Sequence, residues 1–95
     1  MDEQQTAQKV KVLQALADET RLELVKKISQ GPLQGSCCSN LQAAFDLSQP
    51  AMSHHFKILL NAEIISEQKN GRSKIYTINN HKLESAGIDI SRLLN

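Results

Sequence analysis

The sequence predicts a mainly α-helical domain carrying one small β-hairpin. Three observations predict it. Apolar residues recur at three-to-four spacing in several separate stretches. Helix caps stand between those stretches. One Asn-Gly pair, Asn70-Gly71, lies between two short alternating runs.

Val10, Leu13, Leu16 and Ala17 make an amphipathic helix of residues 5–17. Asp18 is placed to cap a second helix, with Glu19 in its first turn near the positive dipole end. Leu22, Val25 and Ile28 give that helix its apolar stripe, and Gly31-Pro32 stops it. Residues 34–38 read as a loop. Ser39 and Gln42 then fit a capping box, which opens a short helix over 39–46. A tight turn at Asp46-Leu47-Ser48 follows. Ser48 caps the next helix, 49–61, and Pro50 is tolerated in its first turn. Met52, Phe56, Leu59 and Leu60 form the buried stripe, while Ser53, His54 and Lys57 fall on the other side. Two short helices about a tight turn make a helix-turn-helix.

The runs Ile64–Lys69 and Arg72–Ile78 flank Asn70-Gly71, which predicts a hairpin with a type I′ turn. Its tip carries Lys69, Arg72 and Lys74. A helix-turn-helix followed by a basic-tipped hairpin is a winged helix-turn-helix. After Asn79-Asn80 the chain turns helical again and Gly87 interrupts it. Leu83, Ile88, Ile90, Leu93 and Leu94 are more apolar surface than a lone terminal helix needs, which points to docking on a partner.

Ninety-five residues suffice for one small domain, 1–95, and not for two. The hydrophobic fraction of 40% and charged fraction of 22% exclude a disordered or low-complexity chain. With no Trp, one Tyr and two Phe, the core must be aliphatic. No apolar run approaches the roughly 20 residues that span a bilayer, and the polar opening MDEQQTAQKV lacks a signal-peptide hydrophobic region. A cytoplasmic location without a membrane partner is the expectation.

The net charge of +1 is unevenly spread. Residues 1–49 hold five Lys/Arg against six Asp/Glu, residues 50–82 hold five against two, and residues 83–95 hold one against two. The middle stretch is therefore basic and also contains all three His. Such a patch suits a polyanion on one face. The second helix of the pair would enter a DNA major groove with its first residues at the base edges. Gln49, Ser53 and His54 are hydrogen-bonding groups suited to base edges, and the wing's cations suit phosphates. A solvated surface is the plainer account of the same residues.

Three stretches resemble the arsenic-repressor-type (ArsR/SmtB) regulators. Leu16-Ala17-Asp18-Glu19-Thr20-Arg21-Leu22 is similar to the opening of that family's second helix. Residues 48–59, SQPAMSHHFKIL, resemble its recognition helix, and Asn70–Tyr76 resembles its wing. Glu19 replaces the usual Pro and Phe56 the usual Leu. The resemblance covers residues 8–83. It implies a homodimeric repressor, paired through its first and last helices on a near-palindromic operator and released by an inducer. It places Ser48, Gln49, Ala51, Ser53, His54, Lys57, Lys69, Arg72 and Lys74 at the DNA.

In metal-sensing relatives a Cys-Val-Cys motif opens the third helix. Here Cys37 aligns with its first Cys, Cys38 with the Val and Ser39 with the second Cys. Cys37 and Cys38 are then a candidate sensor for a soft metal, a metalloid ion or a thiol-reactive species. Two small buried residues in a reducing compartment are the other reading. Asn80 and Lys82 stand where relatives' last-helix metal site needs Asp and His. His55 is expected to pack or hydrogen-bond within the fold. A wing used for protein contact without DNA, and a repressor without a ligand, remain as alternatives. No Gly-rich phosphate loop, nucleophile elbow or zincin spacing is present, so an enzyme is not expected.

Overall fold

The computed structural model describes residues 3–31 and 35–94, without the side chains of residues 35–40 and 70. The elements run α1 (Glu3–Leu16), α2 (Glu19–Gln30), β1 (Gly35–Cys37), α3 (Cys38–Ala44), α4 (Gln49–Asn61), β2 (Ile65–Asn70), β3 (Ser73–Ile78), α5 (Asn80–Ser85) and α6 (Ile90–Leu93). Among the described residues no helix is long and apolar enough to cross a membrane.

The caps predicted at Asp18 and Ser48 are present. Asp18 sits in extended backbone before α2, and its carboxylate accepts the Arg21 backbone N–H at 2.9 Å. That hydrogen bond, more than any other influence, lowers the Asp18 pKa, helped by the positive charge of Arg21. Gly31 closes α2 by donating its N–H to the Ile28 carbonyl. Ser48 caps α4 by accepting the Ala51 N–H at 3.3 Å, with Pro50 in the first turn. The capping box expected at Ser39 is displaced: α3 begins at Cys38, so Ser39 lies inside its first turn.

Residues 35–37 are not a loop. They form β1 and pair antiparallel with β3, Gly35 opposite Thr77 and Cys37 opposite Ile75. Long-range pairing to a strand some 40 positions onward imposes this extended backbone. The sheet is therefore three-stranded, in the order β1-β3-β2. The hairpin turn also sits one residue later than expected. Asn70 pairs with Ser73, so the two-residue turn is Gly71-Arg72. Gly71 takes a φ of +67°, and Glu63 is the positive-φ non-glycine among the described residues. A glycine first in a two-residue turn is the type II′ pattern rather than I′. One step further from the turn, Lys69 stands directly opposite Lys74.

The core is aliphatic apart from one aromatic pair. Leu24, Val25 and Ile28 of α2 meet Leu41, Met52, Leu59, Ile64, Ile65 and Leu83. Phe56 of α4 stacks on Tyr76 of β3 with ring centroids 4.3 Å apart and planes 8° from parallel. This stack ties the helix to the hairpin.

Two expected apolar surfaces differ. Helix α1 buries Val12, Ala15 and Leu16, whereas Val10 is 45% exposed and Leu13 57% exposed. Its apolar residues form two overlapping stripes, and the small Ala15 lets the helix approach the core along the second. At the other end, Ile88, Ile90 and Leu94 pack on the molecule's own core, and Leu93 remains exposed. Most of that apolar excess is therefore used internally.

Helices α4 and α5 end in the same Schellman geometry. Ile64 N–H reaches the Leu59 carbonyl and Glu63 N–H reaches Leu60. Ile88 N–H reaches Leu83 and Gly87 N–H reaches Glu84. The left-handed residue is Gly87 in one case and Glu63, at φ +60°, in the other. The Glu63 carboxylate meets Lys82 of α5 at a solvated site, with Nζ 2.7 Å away. That contact lowers the Glu63 pKa.

Candidate nucleic-acid interface

Helix α4 follows α3 through a short turn at residues 45–48, as a helix-turn-helix requires. Its inner face is Met52, Phe56 and Leu59, all buried. Its outer face follows from the helical period. Gln49, Ser53, Lys57 and Asn61 recur every four residues and all are exposed.

Between this face and the hairpin lies an open groove of about 510 Å³. Its floor includes Met52, Phe56 and Tyr76. Gln49, Ser53 and Lys57 line it from the helix, and Arg72 and Lys74 line it from the hairpin. The fold thus brings five of the nine predicted contact residues to one concavity. The other four lie around it. Ser48 is exposed at the cap, and Ala51 is half-buried one position inside the first turn. His54 is exposed on the helix flank, and Lys69 is exposed near the hairpin tip.

Gln42 of α3, Asn61, Glu67 and Ser73 line the same groove and were missed by sequence reasoning. Asn61 was readable from the four-residue recurrence. Gln42 was not, because only the packing of α3 brings it there. Glu67 is the one carboxylate on the groove lining, and its Oε1 lies 3.9 Å from Lys74 Nζ. Both side chains are solvated, so this pair is weak. The directly opposed Lys69 and Lys74 repel one another. The hairpin tip therefore gathers Lys69, Arg72 and Lys74, with Glu67 as their nearby counter-charge.

His55 does pack within the fold. Its Nδ1 lies 3.4 Å from an Arg21 guanidinium nitrogen and 4.0 Å from the Asp18 carboxylate. His54 meets it edge-on at 5.8 Å between ring centroids. By backbone, Cys37 ends β1 and Cys38 begins α3; their side chains lie outside the description. No cluster of three or more His, Cys, Asp or Glu suited to a metal ion is present among the described residues.

The family model for the arsR family of bacterial regulatory proteins matches residues 18–67, from the α2 cap into β2. An arsenical resistance operon repressor of Staphylococcus xylosus is 37% identical over 73 residues, 77% of this chain and 67% of that protein. Another of the same name from Staphylococcus aureus is 36% identical, covering 88% of this chain and 74% of that one. Both relatives bear the name of repressor. Among solved structures, the transcriptional regulator HlyU of Vibrio vulnificus superposes with a TM-score of 0.71 at 28% identity, covering 96% of this chain and 88% of that chain. Together with the helix-turn-helix and its basic-tipped hairpin, these matches establish that the chain belongs to the ArsR family of winged helix-turn-helix transcriptional regulators.

Proposed function

We propose that this protein is a homodimeric repressor that binds a near-palindromic operator and is released by an inducer. The observation that carries the reading is the convergence of the α4 outer face and the cationic hairpin on one groove. In this reading α4 enters the major groove. Its amino terminus, capped by Ser48, points free N–H groups and a partial positive charge at a phosphate. Gln49, Ser53 and His54 address base edges, Ala51 allows close approach, and Lys57 meets the backbone. Lys69, Arg72 and Lys74 take phosphates or the adjacent minor groove.

The exposed Val10 and Leu13 of α1, with Leu93 of α6, offer apolar surface for a second copy. A dimer would set two copies of α4 on half-sites about one helical turn apart or a multiple of it. The two cysteines, adjacent at the β1–α3 boundary, are the chain's only thiols. Thiolates are soft ligands that favour soft ions and react with oxidants. The class of inducer proposed is therefore a thiol-seeking one, a soft metal or metalloid ion or an oxidant. Its action would be to change the spacing of the two recognition helices. The named relatives support repression, and the arsenical repressors among them support an inducer of this class.

The test is reduced protein titrated onto a fluorescent duplex from its own promoter and onto a scrambled duplex, at two salt concentrations. Preference for the promoter with salt-dependent affinity is expected. Equal, weak binding to both would mean that the native site lies elsewhere, that a ligand is needed for binding, or that the winged helix serves a protein partner. A Cys37→Ser/Cys38→Ser variant that still releases DNA with inducer would remove the thiol part of the proposal.

A further inference from the structure

His54 and His55 are neighbours on α4, yet only His55 is drawn into the fold, with its side chain 16% exposed. Its Nδ1 faces an Arg21 guanidinium nitrogen at 3.4 Å. A guanidinium has donors and no acceptor, so Nδ1 accepts and the ring proton sits on Nε2. The same guanidinium donates from Nε to the Ala15 carbonyl at 2.6 Å and from its second terminal nitrogen to the Gln14 carbonyl at 3.4 Å. Both carbonyls belong to the last turn of α1, where a helix runs short of its own donors, and the Gln14 carbonyl also accepts the Ala17 N–H at 3.3 Å. Asp18, the α2 cap, lies 4.0 Å from both Arg21 and His55 and balances the charge. The Arg21 side chain is only 14% exposed. One planar fork thus holds the end of α1, the start of α2 and the flank of α4 in fixed relation. A lysine in its place has a single nitrogen and cannot reproduce that geometry.

We infer that Arg21 is a positioning residue for the recognition helix. It locks His55 to the carboxyl end of α1, so the seating of α1 is delivered to Ser53 on the outer face of α4 and to His54 on its flank. The inference rests on the DNA-binding reading above and adds a route within one chain. The helix that shows Val10 and Leu13 to solvent is the helix whose last carbonyls Arg21 holds. Docking of a second copy along α1 and presentation of α4 then pass through one side chain.

The experiment compares Arg21→Lys, His55→Leu, His55→Asn and the Arg21→Lys/His55→Leu double variant. Each is titrated onto promoter and scrambled duplexes. Arg21→Lys and His55→Leu should each lose roughly tenfold in the ratio of the two affinities, the size expected for one charge-assisted hydrogen bond. Binding to the scrambled duplex and its salt slope should not move. His55→Asn returns an acceptor near the place of Nδ1 and should restore the ratio. The double variant should lose no more than either single one, because both remove the same link. Equal losses on both duplexes, or additive losses in the double variant, overturn the inference.

A second readout needs no DNA. In ¹⁵N spectra of the free protein, Arg21→Lys should shift the His55 Nδ1 resonance and leave His54 in place. An unmoved His55 resonance overturns the inference even if the promoter shows no preferred binding. Should His55→Leu fail to fold, the contrast between Arg21→Lys and His55→Asn still decides.

Discussion

Helices α1 and α4 are of nearly equal length, 14 and 13 residues, and they turn opposite surfaces outward. Each buries one apolar stripe. On α4 the remaining face is polar, Gln49, Ser53 and Lys57, and adjoins a cationic hairpin. On α1 the remaining face includes Val10 and Leu13. The burial that folds the chain is similar in kind for both helices. What separates them is the outer face, polar beside a cationic hairpin on α4 and partly apolar on α1, and in the proposed reading each suits a different partner, a polyanion for α4 and a second copy for α1.

The sharpest way to break this comparison is inside, where both helices should behave alike. Leu59, fully buried on α4, should cost about 3 kcal/mol when replaced by Ala, read as a lowered urea midpoint. Leu13→Lys should do something different. It should leave the secondary structure intact and shift self-association toward monomer by at least about tenfold, read by sedimentation equilibrium. A Leu13→Lys protein that unfolds would mean that this face supports the monomer itself.

On α4 the outer face divides further. Ser53→Ala or His54→Ala should change which duplex is preferred, by about 1–3 kcal/mol at one base position. Arg72→Ala should weaken all sequences alike and reduce the salt slope by about 1. Equal losses for all three on promoter and random duplexes would erase the division between base reading and phosphate contact.

The smallest effect is at the α1–α2 corner. Asp18→Ala should cost about 1 kcal/mol at neutral pH through loss of the cap. The Asp18 pKa is lowered in the folded chain, so its contribution is complete above the unfolded value of about 4. It is lost as pH falls through the lower folded value. Stability curves of wild type and variant should therefore converge on acidification. A constant gap would show that the cap does not depend on the carboxylate's charge.

Much of this arrangement was legible because its signals are local. Asp18, Ser48 and Gly31 act within four residues of where they stand, and Gln49, Ser53 and Lys57 share a face by helical period alone. What the sequence hid depends on distant partners. Gly35-Ser36-Cys37 has no alternation to mark a strand; its extended form comes from Ile75, Tyr76 and Thr77 across the sheet. In α1 two apolar stripes overlap, and the core's shape decides between them. The hairpin turn slid by one residue because register belongs to the strand pair, and Gly71 satisfies either placement. His55 was expected to stay within the fold, but its tie to Arg21, 34 positions away, is a property of packing.

The opposed lysines of the hairpin carry a consequence for motion. Lys69 and Lys74 face each other across the two strands, where opposite charges would pair better. The end of the wing is thus closed with like charges opposed, offset only by the weak Glu67–Lys74 pair. In the free protein its amides should open and exchange with solvent sooner than those of Ile65 and Ile78 at the buried end of the same ladder. A phosphate between the lysines reverses the sign of that interaction. Slowed amide exchange at the tip would then mark the moment of contact, with no change in the hairpin's fold.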